Sequence, residues 1–226
     1  MAKIKFGAGI ADARGSVGSV TFSRNTFGAY LREKVTPVNP ATPRQQEVRN
    51  WLGQLSKDWA ELTEAQRIGW YNLAVAFPRT DIFGNPIALT GIAQYQASNI
   101  VRRNLPNDPI NDPPGDLTVP SILYSSPSIV ASTRVLSMPF DPSPLPAETR
   151  PYVFSTPAHS AGKTFVKNLL RFAGAGNDEA TTPDTITLPA TFGPLSAGDT
   201  ITVLLSIVNV ANGVVSPGQR FKITAT

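Results

Sequence analysis

The chain has 226 residues, 21 of them proline, with 16% charged residues and a mean hydropathy of −0.07. It contains no cysteine, which excludes disulfides, thiolate metal sites and a cysteine nucleophile. Hydropathy near zero with a net charge of +4 excludes wholesale disorder, and the length suits two modest domains better than one. The charge is uneven: residues 1–104 hold 13 Lys/Arg against 7 Asp/Glu, whereas residues 105–226 hold 7 against 9. The two halves are therefore expected to face different partners. Residues 1–6 lack the apolar core of a signal peptide, and no run approaches the roughly 20 apolar residues of a membrane span. The expectation is a chain made and kept in a cytoplasm, or released by lysis, without a membrane partner.

Gly15-Ser16-Val17-Gly18-Ser19-Val20-Thr21-Phe22-Ser23 alternates small or polar with apolar residues, and Ala29 to Val35 does so again. This predicts a β-hairpin behind a glycine-containing arm, and a lone hairpin must pack on helices or pair with another chain. The prolines at 37, 40 and 43 predict an extended connector. Thr42-Pro43-Arg44-Gln45 then places a capping Thr, a first-turn Pro and a Gln three residues on, a helix start, with Val48, Trp51, Leu52, Leu55 and Trp59 along one face. Thr63-Glu64-Ala65-Gln66 repeats the signal for a second helix carrying Trp70, Leu73, Ala74 and Phe77. Asp81 to Pro86 reads as a turn. Thr90 is expected to cap a third helix buried at Ile92, Tyr95, Ile100 and Val101, with Arg102 and Arg103 in its last turn.

Residues 105–116 contain four prolines and no periodicity, which predicts an inter-domain linker. Strand-like runs follow at 117–124, 129–138, 152–155, 165–172, 185–188, 200–210 and 220–224, separated by turn residues, a spacing that predicts an antiparallel sandwich. Within 201–207 the odd positions are apolar, predicting one core face and one partly wet face, and Asn212-Gly213 predicts a hairpin turn. The expected architecture is thus an α+β N-terminal half (residues 1–104: arm, hairpin, helical hairpin and third helix), a linker (105–116) and a separate all-β sandwich (117–226).

Chemistry-bearing motifs are sparse. The single histidine, His159, sits in a loop with no adjacent acid, so a surface role outweighs a catalytic one. Ala161-Gly162-Lys163-Thr164 imitates the end of a phosphate-binding loop, but Pro157 stands where the first glycine is required. Gly7-Ala8-Gly9 lacks the third glycine and preceding strand of a dinucleotide fingerprint. Asp178-Glu179 and Asp108/Asp112 read as solvated turn acids. No catalytic residue, cofactor or metal is expected. The candidate functional residues are instead partner-anchoring ones: Arg14, Phe22, Arg24, Phe27, Tyr30, Arg32, Lys34, Arg44 and Arg49. Their cations outnumber nearby acids, and the aromatics suit either packing on Trp51 and Trp59 or stacking on bases.

The stretch from Gly15 to Arg49, with Leu62 to Arg67 and Trp70, resembles a family of virion-associated proteins of tailed phages and prophages. The matching patterns are G-x-V-x-F-S-R-N at Gly18–Asn25, V-x-P-x-N-P-x-T-x-x-Q at Val35–Gln45, and the Trp-rich helix pair. Leu195 to Thr200, Val203, Val208-Asn209 and Ser216-Pro217 are similar to the end of a fibronectin type III or other immunoglobulin-like module, although Ile201 and Thr202 stand near the place of its corner tyrosine. The resemblance implies association with a virion; with no catalytic motif in the chain, the expected protein is a non-enzymatic, head-associated decoration or minor capsid protein, assembled in the host bacterial cytoplasm. It would be anchored to capsid or tail subunits through its N-terminal half, would form homo-oligomers, and would display a sandwich able to bind surface glycans weakly. The alternatives are nucleic-acid association through the basic half, or a carbohydrate-binding, adhesive module.

Overall fold

A computed structural model of the chain describes residues 2–3, 7, 9–10, 12–25, 28–36, 38–80 and 85–226. The chain divides into two compact units, Met1–Gln46 and Glu47–Thr226. The first is a four-stranded antiparallel sheet in the order β1-β4-β3-β2, with β1 at Ala2–Lys3, β2 at Gly15–Val17, β3 at Val20–Asn25 and β4 at Gly28–Glu33. The expected first strand of the hairpin is in fact two. Gly18, at φ 58°, takes the first position of a two-residue turn that brings Val17 opposite Val20, a conformation a residue with a Cβ adopts only under strain.

The second unit opens on the predicted helices. In α1 (Pro43–Glu61) the Gln45 amide donates to Thr42 Oγ1 at 3.4 Å and the Thr42 amide to Gln45 Oε1 at 3.3 Å. The same reciprocal cap starts α2 (Glu64–Ala76), with the Gln66 amide 3.3 Å from Thr63 Oγ1 and the Thr63 amide 2.9 Å from Gln66 Oε1. A two-residue ladder, β5 (Arg79–Thr80) with β6 (Pro86–Ile87), precedes α3 (Gly91–Asn104), whose Thr90 cap accepts from the Ala93 amide at 3.3 Å. The expected turn between the two strands lies largely outside the described residues. Leu55, Leu62, Trp70, Leu73 and Tyr95 form the helical core, where the Tyr95 ring stands 5.4 Å from Trp70 edge-on and 5.5 Å from Trp59. Leu52, predicted to share the core face of α1, is 39% exposed, since it lies on the flank of the stripe set by Leu55 and Trp59.

Residues 105–116 do not hang free between bodies. Asn99, fully buried on α3, accepts from the Ile110 amide at 2.8 Å and donates to the Ile110 carbonyl at 3.1 Å, mimicking a strand pairing. Trp70 Nε1 donates to the Asn111 carbonyl at 2.8 Å, Gln66 Nε2 to Asp112 at 3.0 Å, and Ile110 and Leu117 pack on the helical core. The segment is a strap within the second unit. Proline suits it because a strap held by side chains needs no regular ladder of its own amides.

The remainder is a β-sandwich-like body. One sheet runs β12 (Arg171–Ala175), β11 (Thr149–Ser155), β14 (Thr200–Asn209), with β15 (Val214–Val215) and β16 (Gln219–Thr224) both paired to β14. The other holds β13 (Asp184–Thr187), β9 (Val135–Met138) and β8 (Ser128–Val130), beside a small ladder of β7 (Leu123–Tyr124) and β10 (Phe140–Asp141). The sheets meet at one edge, where the Thr226 amide donates to Ile129 O and the Ala131 amide to Thr226 O. Three strand assignments change. The run 129–138 is a hairpin turning at Ala131–Arg134, only 123–124 of the run 117–124 is strand, and 165–172 is mainly a 3-10 turn at Lys167–Leu169 before β12. The chain is therefore α+β with a β-sandwich-like C-terminal part.

Along β14, Ile201, Val203, Leu205 and Ile207 enter the sandwich core with Val153, Leu136 and Met138, as the alternation predicts. The other face is not wet. Thr202 is covered by the loop carrying His159, and Val208 packs with Tyr152 and with Leu105 at the end of α3. The third helix is clamped to the sandwich by Arg102, whose guanidinium donates to the carbonyls of Asp108, Val210 and Ala211, and by Asn104 Nδ2, which donates to the Tyr152 hydroxyl at 2.8 Å.

Candidate partner interface

The N-terminal sheet carries four of the nine predicted anchoring residues, Phe22, Arg24, Tyr30 and Arg32, and its register sorts them. Phe22 lies opposite Leu31, Val20 opposite both Val17 and Glu33, and Arg24 opposite Ala29. Because alternate residues of a strand point to opposite faces, Val17, Val20, Phe22, Arg24, Ala29, Leu31 and Glu33 share one side. Ser16, Thr21, Ser23, Tyr30 and Arg32 share the other, with Thr21 opposite Arg32 and Ser23 opposite Tyr30. The first side is apolar with Arg24 at one end and Glu33 at the other; the second is hydroxyl-rich and carries Tyr30 and Arg32. Phe22 and Tyr30 are thus separated rather than joined in a single aromatic platform.

The other predicted residues spread further. Arg14 is exposed and pairs with Asp12 at 3.3 Å. Lys34 is exposed, its amide donating to Ser19 O at 2.8 Å. Arg44 lies in the first turn of α1, within the first unit, and Arg49 lies farther along the helix, in the second unit. Phe27 lies outside the described residues. Residues 1–46 hold seven Lys/Arg against two Asp/Glu, so the basic excess of the N-terminal half belongs to this first unit. On the apolar side of the sheet Val17 is 72% exposed, and Val20, Phe22 and Leu31 are half-buried.

Groups set aside in the sequence have structural partners. His159 Nδ1 lies 3.0 Å from Ser160 O and Nε2 3.0 Å from Thr202 Oγ1, and its backbone bridges Thr200, so it staples its loop onto β14. Asp178 pairs with Arg150 at 3.5 Å. Among the described residues no three His, Asp or Glu side chains are grouped to hold a metal. No helix among them is long and apolar enough to cross a membrane.

Two features escaped the sequence. Asp184 is buried, taking the Asn177 amide at 2.9 Å, Asn177 Nδ2 at 2.7 Å and the Thr185 amide at 2.8 Å. These bonds fasten the loop from 176 to 184, and burial together with the negative charge of Asp184 pushes the Tyr124 hydroxyl well above its ordinary ionisation range. The polar floor of α3 was the second, since Gln94 and Ser98 sit at positions a core pattern leaves to apolar residues.

No family model matches the chain, and no curated protein matches it significantly. Among solved structures, the adhesin domain of Epf from Streptococcus pyogenes is similar over 49% of this chain, with a TM-score of 0.34 and 13% identity. This match spans 34% of that structure's own chain, and at such a TM-score it carries no argument.

Proposed function

We propose that this chain is a non-enzymatic structural protein of a tailed-phage particle, head-associated, anchored through its N-terminal sheet and displaying its sandwich. The observation that carries the reading is the one-sided apolar sheet of residues 15–33, set in a unit with five more cations than acids. A small sheet with Val17, Val20, Phe22 and Leu31 on one side gains stability by covering that side, and assembly into a shell provides the cover. The motif resemblance across Gly18–Gln45 supports the same role. Capsid or tail subunits are the partners proposed, with copies of the chain repeated on the particle.

The test is mass spectrometry of density-purified particles from cells that carry the gene. The chain should co-purify at a constant ratio to the major shell protein, and Phe22→Asp should lower its incorporation at least tenfold while its circular dichroism is unchanged. Particles lacking the chain would overturn the proposal. Binding of the full chain to DNA with a steep loss of affinity on adding salt would instead favour nucleic-acid association through the +5 unit.

A further inference from the structure

Helix α3 carries two polar side chains that a purely packing helix would not place where they are. Gln94 and Ser98, one turn apart, are 3% and 1% exposed, and Gln94 Nε2 donates to Ser98 Oγ at 3.2 Å. One turn farther on, the same helix meets the sandwich through Val101 and Leu105, so an apolar contact was available to it. Instead, Gln94 and Ser98 line a cleft of about 500 Å³, with Ala97 and Val101 on the helix side, Val214 of β15 opposite and Arg79 of β5 at its edge. That volume falls in the range of small-molecule sites, and the cleft lies at a seam between two layers of the fold, where such sites concentrate.

The lining specifies a ligand class. Among the described residues Arg79 is the sole ionisable one lining the cleft, and its charge favours an anion. The valines offer an apolar wall, and Gln94 and Ser98, nearly covered and bonded to each other, form a polar floor. We propose that this cleft binds a small amphipathic organic anion, with its carboxylate or sulfonate toward Arg79 and its apolar body against Val101 and Val214. The site is independent of the particle role proposed above.

The test uses the full chain and anilinonaphthalene sulfonate, whose fluorescence rises on leaving water. Binding should saturate at one site per chain, octanoate should compete and octylamine should not. Arg79→Ala, a change at an exposed position, should weaken binding about three- to tenfold, as expected for one partly solvated charge-assisted contact. Arg79→Glu should weaken probe binding further than Arg79→Ala, because it sets a like charge against the sulfonate. Ala97→Trp, which fills the cleft, should abolish binding. Absence of saturable binding, or binding unchanged in both Arg79 variants, would overturn the proposal. The Arg79 variants keep the test decisive even if Ala97→Trp fails to fold.

Discussion

Asn99→Ala is the sharpest test of the strap. The side chain of Asn99 is fully buried and makes both backbone hydrogen bonds of Ile110, at 2.8 and 3.1 Å. Truncation removes two bonds worth about 1 kcal/mol each, and leaves an amide and a carbonyl with the desolvation cost of unpaired groups. Ile110 is only half-buried, so water relieves part of that cost, and the expected loss is about 2–4 kcal/mol. Urea unfolding followed by tryptophan fluorescence measures it, because Trp70 donates to the neighbouring Asn111 carbonyl and reports on the strap. Hydrogen exchange should show Ile110 and its neighbours losing protection before the rest of the unit does. A loss below about 0.5 kcal/mol with unchanged exchange across 105–116 would refute the strap and restore a free linker.

Gly213→Ala should cost about 2–4 kcal/mol in the same assay, since Gly213 has φ 68° and a Cβ there would overlap the Ser98 carbonyl oxygen on α3. A neutral effect would mean that the β14–β15 turn does not bear on the helix. Tyr95 and Tyr124 are both raised above the ordinary 10.0, Tyr95 by burial and then the Asp58 charge, Tyr124 by burial and then Asp184. The unfolded chain therefore releases these protons first as pH rises. Stability should be intact below about pH 10 and fall above it, through the folded-state values. Ultraviolet titration should show both ionising later in the native protein than in urea, and coincident curves would refute their burial.

Local chemistry was legible in the sequence because it acts over three or four residues. Thr42 with Gln45, Thr63 with Gln66, and Thr90 each cap the predicted helix, since a cap needs only a short side chain and a nearby amide. The odd-residue face of β14 likewise follows from strict alternation. Short turns inside strand-like runs were harder to read: the turn at Gly18 is hidden inside an alternating run, and the turn at Ala131–Arg134 inside a run rich in β-branched residues. Of the candidate interface, the basic excess and the residue types were readable. The division of Phe22 and Arg24 from Tyr30 and Arg32 was not, because it depends on cross-strand register.

The sequence by itself determined the α+β class, the helix starts, the all-β C-terminal composition and the basic excess of residues 1–104. Only the tertiary structure decided that the proline-rich stretch is a strap, that α3 belongs with the sandwich, and that the second face of β14 is covered. The physical reason is range. Caps and alternation are written in neighbouring residues, whereas Arg102 meets Val210, and Asn104 meets Tyr152, across separations that no local pattern encodes.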